Sequence, residues 1–236
     1  MTTPGAAPPV LVAASHGTAS PAGRAAVAAL VDAVAARRPD LDVRPSFVDV
    51  QHPDPSAVLA SLPEGRRARL VPLLLSAGYH VFVDLTEAAA AAPGTTVAPA
   101  LGPDARLAAQ LARRLEAVGL REDDVVVLGA AGSSEASAVR DCELVAAQLA
   151  DVIAHGVTVG YLSAAQPRLA DAVAGQRVPG RRVVVATYLL APGFFADLAG
   201  RSGADVVTPP LLLADEPPAD DLVDIVLERY EAAVRS

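Results

Sequence analysis

Val10-Leu11-Val12-Ala13-Ala14-Ser15-His16-Gly17-Thr18 is an apolar run that ends in a histidine and a glycine-hydroxyl turn. It recurs 115 residues later as Val125-Val126-Val127-Leu128-Gly129-Ala130-Ala131-Gly132-Ser133. An apolar run of this length, closed by a turn signal, reads as a strand buried on both faces, the kind that parallel sheets contain. The same offset carries Leu73-Leu74-Leu75-Ser76-Ala77-Gly78-Tyr79-His80 onto Tyr188-Leu189-Leu190-Ala191-Pro192-Gly193-Phe194-Phe195 without a gap. His16 thus falls on Ala131, and His80 on Phe195. With one residue skipped, Phe47-Val48-Asp49 before His52-Pro53 falls on Tyr161-Leu162-Ser163 before Gln166-Pro167. The repeat keeps its apolar frame in both copies and its ionisable groups in the first, which predicts a single working site in the N-terminal half.

Outward from these runs, strands alternate with helical patterns, the signature of parallel βαβ units. Strands are expected near 9–14, 41–49, 68–74 and 95–98, then near 124–130, 156–162, 181–188 and 204–208. Val27, Leu30, Val31 and Val34 follow helical spacing; Leu107, Leu111, Leu115 and Val118 do so before Gly119; Leu222, Ile225, Val226 and Tyr230 mark a last helix. The fold class is α/β: two similar flavodoxin-like domains, each a parallel sheet flanked by helices, related by internal duplication. Their expected bounds are 1–119 and 120–236, with Arg121-Glu122-Asp123-Asp124 as a polar linker.

Composition narrows the function classes. The chain has 236 residues, 52% hydrophobic and 19% charged, as a folded globular protein does. Its net charge of -8 argues against nucleic acid, which calls for a basic stripe. The basic residues are all arginine, so any anionic ligand must be held by local guanidinium groups. The single cysteine, Cys142, excludes an internal disulfide and any CxxC motif, and is read as a small apolar residue on a helix. Met1 to Pro9 lacks the pattern of a signal peptide, and Val183 to Ala196 is too short an apolar run to span a bilayer. A cytoplasmic protein with no membrane partner is expected, either a monomer or a weak homodimer.

Ligands of open parallel sheets bind at the carboxyl ends of the strands. His16 follows the first strand, Asp49 ends the second and His80 follows the third, so two imidazoles and a carboxylate meet on one rim. That donor set suits first-row divalent metals better than Ca or Mg, and three or fewer protein ligands leave open positions for handing a metal on or for activating a water. Asp84, four residues after His80, is either a carboxylate that orients the imidazole or a helix-start acid. His52 lies in a turn between Asp49 and Pro53. His155, before Gly156, is read as a cap at a helix C-terminus. The Gly132-Ser133-Ser134-Glu135 turn fits either a phosphate cradle or ordinary capping by Ser134 and Ser137. Ser15-His16-Gly17 is similar to the Arg-His-Gly of phosphohistidine phosphatases but lacks the arginine, and no G-x-S-x-G elbow is present.

Taken together, His-Gly-Thr after the first strand, Phe-Val-Asp before a proline at the second, Gly-Tyr-His with Asp84 after the third, and two similar halves resemble the class II chelatases of the CbiX and SirB type. The resemblance spans nearly the whole chain. It implies a chelatase-like fold, with a metal-binding N-terminal copy and a degenerate C-terminal one. The implied enzyme is a lyase that inserts Co2+ or Fe2+, with Ni2+ a further option, into sirohydrochlorin on the way to cobalamin or sirohaem. His16 and His80 would be metal ligands and proton acceptors, and Asp49 would stand where such proteins usually carry a glutamate. Gly17, Thr18, Gly78, Tyr79 and Arg24 would lie against the bound metal or tetrapyrrole, and Arg44 and Arg168 are further candidates for its carboxylates. Phe194-Phe195 would offer an apolar wall across a cleft between the halves. Neither a nucleotide nor an iron–sulfur cluster is implied. Two alternatives stay open: a non-catalytic metal or tetrapyrrole binder, and a flavodoxin-like phosphate-ester enzyme.

Overall fold

Residues along Val10–Ser15 (β1) are all buried, and they divide by parity between two layers of packing. Val10, Val12 and Ala14 join one apolar cluster; Leu11 and Ala13 join another. Only a strand covered on both faces gives this pattern, so helices must lie on either side. The computed structural model of the chain describes residues 7–76 and 79–234, with 79–82 and 234 described by backbone alone.

The first half continues through Pro21–Arg37 (α1), Val43–Phe47 (β2), Pro55–Ala60 (α2), Ala68–Pro72 (β3), Tyr79–Ala90 (α3), Thr95–Val97 (β4) and Ala105–Ala117 (α4). The second runs through Val125–Ala130 (β5), Ala136–Ile153 (α5), Val157–Tyr161 (β6), Leu169–Gly175 (α6), Val183–Tyr188 (β7), Phe194–Gly200 (α7), Val206–Val207 (β8) and Asp220–Val234 (α8). The repeat read from the sequence carries through to the elements, five of which start at the same offset. Val10 and Val125, Pro21 and Ala136, Ala68 and Val183, Tyr79 and Phe194, and Ala105 and Asp220 each open matching elements 115 residues apart.

Each half contributes a four-stranded parallel sheet, in the orders β2-β1-β3-β4 and β6-β5-β7-β8. This is the strand order of a flavodoxin-like sheet, with its switch point at the carboxyl end of the first strand. On the outer face of the first sheet, α2 and α3 supply Val58, Leu59, Leu85 and Ala88; on the second, α6 supplies Leu169 and Val173 and α7 supplies Ala199.

Between the sheets lies one continuous core, and the helices that end each half cross over inside it. Helix α4 packs against α5 and β7 of the second half, while α8 packs against α1 and β3 of the first. Leu107, Leu111 and Leu115 of α4 share this core with Leu222, Ile225 and Val226 of α8. Polar ties follow the crossing. Gln110 donates to the Leu211 carbonyl at 2.9 Å, Arg229 reaches the carbonyls of Ala100 and Leu101, Tyr230 donates to the Pro9 carbonyl at 2.8 Å, and Arg106 forms a bidentate pair with Glu228.

The segment 121–124 is more than a solvated linker. Asp124 is buried, with its carboxylate held by Arg182 and by the Arg121 amide, and these partners keep it below the usual carboxylate range. Cys142 is buried on α5, as expected of a small apolar residue; burial first, then Asp141 and Glu143, push its thiol up to about 11. Among the described residues, no helix is long and apolar enough to cross a membrane.

Candidate functional site

The β1–β2 ladder does not stop where the strands do. Beyond the Ser15–Phe47 register pair, the Val48 amide donates to the Ser15 carbonyl at 2.9 Å, and the Asp49 amide to the His16 carbonyl at 2.9 Å. His16 and Asp49 are therefore hydrogen-bonded neighbours at the carboxyl edge of the first sheet, both exposed. Gly17 closes the arrangement. Its φ is +92°, and a Cβ there would sit 2.0 Å from the Asp49 carbonyl oxygen, so only glycine lets the two loops approach this closely.

Next in the loop, Thr18 is held from three sides. Its amide donates to Gln51 Oε1 at 2.9 Å, its hydroxyl accepts from the Ser20 amide at 3.1 Å, and its carbonyl accepts from Arg24 Nε at 2.9 Å. The predicted Arg24 thus folds back over the His16 loop while remaining exposed. Asp49 Oδ1 accepts from the Val50 amide at 2.7 Å, and Val50 takes a positive φ of 62°. Gln51 completes this frame and was not foreseen: an isolated glutamine between Asp49 and His52 carries no sequence signal.

His80 is the second residue of α3. The strand leading to it flanks β1 on the other side, where the Leu73 amide donates to the Ala14 carbonyl at 2.8 Å. Its backbone therefore belongs to the same edge as His16 and Asp49. The side chains of Tyr79 and His80, and all of Ala77 and Gly78, lie outside the described residues. Asp84 is exposed one turn further along α3, and His52 is exposed in the turn after Asp49. Among the described residues no three His, Cys, Asp or Glu side chains come together as a metal-holding group.

The second half repeats the backbone of this edge without its chemistry. Leu162 and Ser163 donate to the carbonyls of Ala130 and Ala131, each at 2.9 Å. Gly132 has a φ of +89°, with a Cβ position 2.0 Å from the Ser163 carbonyl oxygen, and Ala164 takes the positive φ of Val50. Cis peptides precede Pro53 and Pro167 alike. Alanine and serine occupy the positions of His16 and Asp49.

Other candidate groups have structural partners. His155 ring nitrogens approach the carbonyls of Ile153 at 2.6 Å and Arg121 at 3.1 Å, just past α5. It does satisfy a helix-end carbonyl, that of Ile153, but the left-handed cap is Ala154, and His155 lies beyond the last turn. Ser133, not Ser134 or Ser137, caps the turn before α5, accepting from the Glu135 amide at 3.1 Å. Arg44 is committed to Asp42 and Ser61. Arg168 stands exposed at the N-terminus of α6.

The halves meet at the rim of this edge. A Cβ on Gly23 of α1 would lie 2.2 Å from the Pro192 carbonyl oxygen, and one on Gly193 would lie 3.0 Å from Thr18 Oγ1. From the other direction, the Tyr188 hydroxyl donates to the Leu75 carbonyl at 3.0 Å. Phe194 follows Gly193 at the start of α7 and is 72% exposed; Phe195 is half-buried, its ring centroid 5.8 Å from that of Phe194.

The CbiX family model matches residues 10–118 and again 125–199. The chain belongs to the CbiX family. The first match spans β1 to α4 and the second runs from β5 into α7, short of β8 and α8, so this CbiX-family protein carries the family pattern twice, the second time in part. Among solved structures, SirB from Bacillus subtilis with Fe3+ superposes with a TM-score of 0.79 at 20% identity, covering 96% of this chain and 95% of that one. SirB from Bacillus subtilis subspecies spizizenii in complex with cobalt gives 0.76 at 18% identity, covering 97% and 96%. CbiX, described as the terminal enzyme for biosynthesis of siroheme in denitrifying bacteria, gives 0.67 at 22% identity, covering 95% and 99%. These likenesses bear out the predicted fold. No curated protein sequence matches the chain.

Proposed function

We propose that this CbiX-family chain is a lyase of the chelatase kind that inserts a divalent metal, Co2+ or Fe2+, into sirohydrochlorin. The observation that carries the reading is the hydrogen-bonded pairing of the His16 and Asp49 loops on one sheet edge, in a chain whose fold is that of SirB proteins solved with Fe3+ and with cobalt. The metal is substrate, so its holders must release it. Two imidazoles and a short carboxylate suit that task, binding first-row metals without enclosing them.

In the reaction the free-base macrocycle loses two pyrrole protons and gains the metal. His16 and His80 have the chemistry to hold the incoming ion and, once it has moved on, to accept those protons. Asp49 has one oxygen engaged by the Val50 amide, which leaves Oδ2 for the ion or for a water bound to it. Arg24, beside Thr18, supplies a guanidinium for a substrate carboxylate.

The deciding experiment mixes the purified chain with sirohydrochlorin and Co2+ or Fe2+ and follows the absorbance change. Insertion faster than the uncatalysed rate, lost in H16A and in H80A, supports the reading; a rate equal to the uncatalysed one sinks it. The second reading, a carrier that binds without turnover, draws on Asp49 being tied to its own loop. It predicts tight binding of metal or tetrapyrrole with no metallated product.

A further inference from the structure

Large apolar side chains that stay in water call for a reason, above all when they gather beside polar groups. Among the described residues five are exposed: Val50, Leu144, Val152, Val178 and Phe194. Leu144 and Val152 lie along α5, and Val178 follows α6. Val50, in the loop after β2, and Phe194, the first residue of α7, alone sit at the carboxyl edges of the sheets, and the segments beside them touch one residue, Thr18. Gln51, next to Val50, accepts from the Thr18 amide; Gly193, next to Phe194, abuts the Thr18 hydroxyl. Two exposed apolar groups thus flank the loop that carries His16, one from each half of the chain.

The repeat sharpens the point. Phe194 and Phe195 occupy the places that Tyr79 and His80 occupy in the first half, at the opening of the matching helix. The second copy has lost the polar atoms at this position while Phe194 remains 72% exposed. The placement is fixed by close contact, because a Cβ on Gly23 would sit 2.2 Å from the Pro192 carbonyl oxygen, so α1 and the Pro192-Gly193 turn meet with no room for a side chain at Gly23.

We infer that Phe194 forms an apolar platform for one face of the planar tetrapyrrole. This rests on the proposed metal insertion and extends it to a residue that holds the macrocycle. An aromatic ring offers a flat apolar surface that packs face to face, offset, against another flat ring. A macrocycle so placed keeps its carboxylates at the periphery, within reach of groups such as Arg24, and presents its centre toward the His16 loop. Phe194 is a positioning residue and takes no part in the proton transfers.

The test compares the full chain with F194A, F194Y and F194W, and with V178A as an exposed apolar control. Metal-free sirohydrochlorin is titrated by absorbance, Co2+ is titrated alone, and insertion is measured over a range of sirohydrochlorin concentrations. F194A is expected to raise both the Kd and the KM for sirohydrochlorin about tenfold, with kcat within about twofold. F194Y and F194W restore both constants, V178A changes neither, and Co2+ binding is the same throughout. An unchanged Kd in F194A overturns the platform, and does so equally if the variant instead loses self-association in sedimentation, which assigns Phe194 to a contact between copies. Insertion by the wild type with an unchanged F194A Kd removes the platform alone. Binding by the wild type without insertion removes the chelatase reading and leaves F194A to decide the platform. No binding of sirohydrochlorin by the wild type overturns both.

Discussion

The hydroxyl of Tyr188, buried at the end of β7, donates to the carbonyl of Leu75 at 3.0 Å and so fastens the second half to the segment that leads into α3. Gly102 is packed against the same two groups, its Cβ position 2.3 Å from the hydroxyl and 2.4 Å from the carbonyl. Water has little access to replace the donor. Y188F is therefore expected to cost about 1–3 kcal/mol, the penalty of a buried carbonyl left unpaired, read as a lower urea midpoint. Metal insertion should also fall, because Leu75 lies five residues before His80.

The same region predicts how the protein responds to alkali. Burial pushes the Cys142 thiol up to about 11 and the Tyr161 phenol up to about 12, and raises Tyr188 well above its ordinary value. The fold favours the protonated forms, so their stabilisation is complete below the ordinary values near 9 and 10. It is lost as pH rises through the raised ones. Thermal stability should decline between pH 9 and 12, and C142A should move the onset upward. A melting temperature flat to pH 12 contradicts this.

Gly17 and Gly132 allow the two edges to be compared directly. Each has a positive φ and a Cβ position 2.0 Å from a carbonyl oxygen, so G17A and G132A should destabilise the chain by similar amounts, on the order of 1–3 kcal/mol each. Their effects on the candidate site should differ. G17A separates His16 from Asp49 and is expected to weaken Co2+ binding at least tenfold, whereas G132A leaves it within about twofold. Calorimetry of unfolding and of Co2+ titration measures both.

Asp49 tests how far a short carboxylate reaches. In D49E the longer side chain gives up the bond to the neighbouring Val50 amide and extends past the loop, so Co2+ affinity is expected to rise. D49A should lower it about tenfold. Equal affinities in all three proteins remove Asp49 from the metal site.

Expressed apart, segments 1–119 and 120–236 are not expected to fold as monomers. Each would expose the sheet face that the other's end helix covers, a loss of whole leucine and isoleucine side chains from the core. Circular dichroism with thermal melts should show no cooperative transition for either segment alone, and recovery on mixing.

Much of this fold was legible because parallel strands buried on both faces write themselves as unbroken apolar runs. All eight expected strands are present, within a few residues of their predicted ends. α1, α4 and α8 were legible from their leucine and valine stripes. The short helices α2, α6 and α7, of six or seven residues, are too brief for a 3.6-residue period to register. The crossing of α4 and α8 left no trace at all, because an amphipathic stripe states that a helix has a partner and not which one. At the site, the order of His16, Asp49 and His80 followed from strand order. The bond between the His16 and Asp49 loops, and Gln51's hold on Thr18, depend on main-chain geometry that side-chain patterns do not encode.

The crossing also sets an order of events during synthesis. When β1 to β4 have left the ribosome, α8, the helix that packs beside α1 on the inner face of the first sheet, is still to be translated. The rim bearing His16 and Asp49 therefore rests on a sheet whose inner face is only partly covered, by α1, until α8 has been made. A chain lacking α8 has His16 and Asp49 but no firm support beneath them. The candidate site would thus gain its support only once α8 is in place.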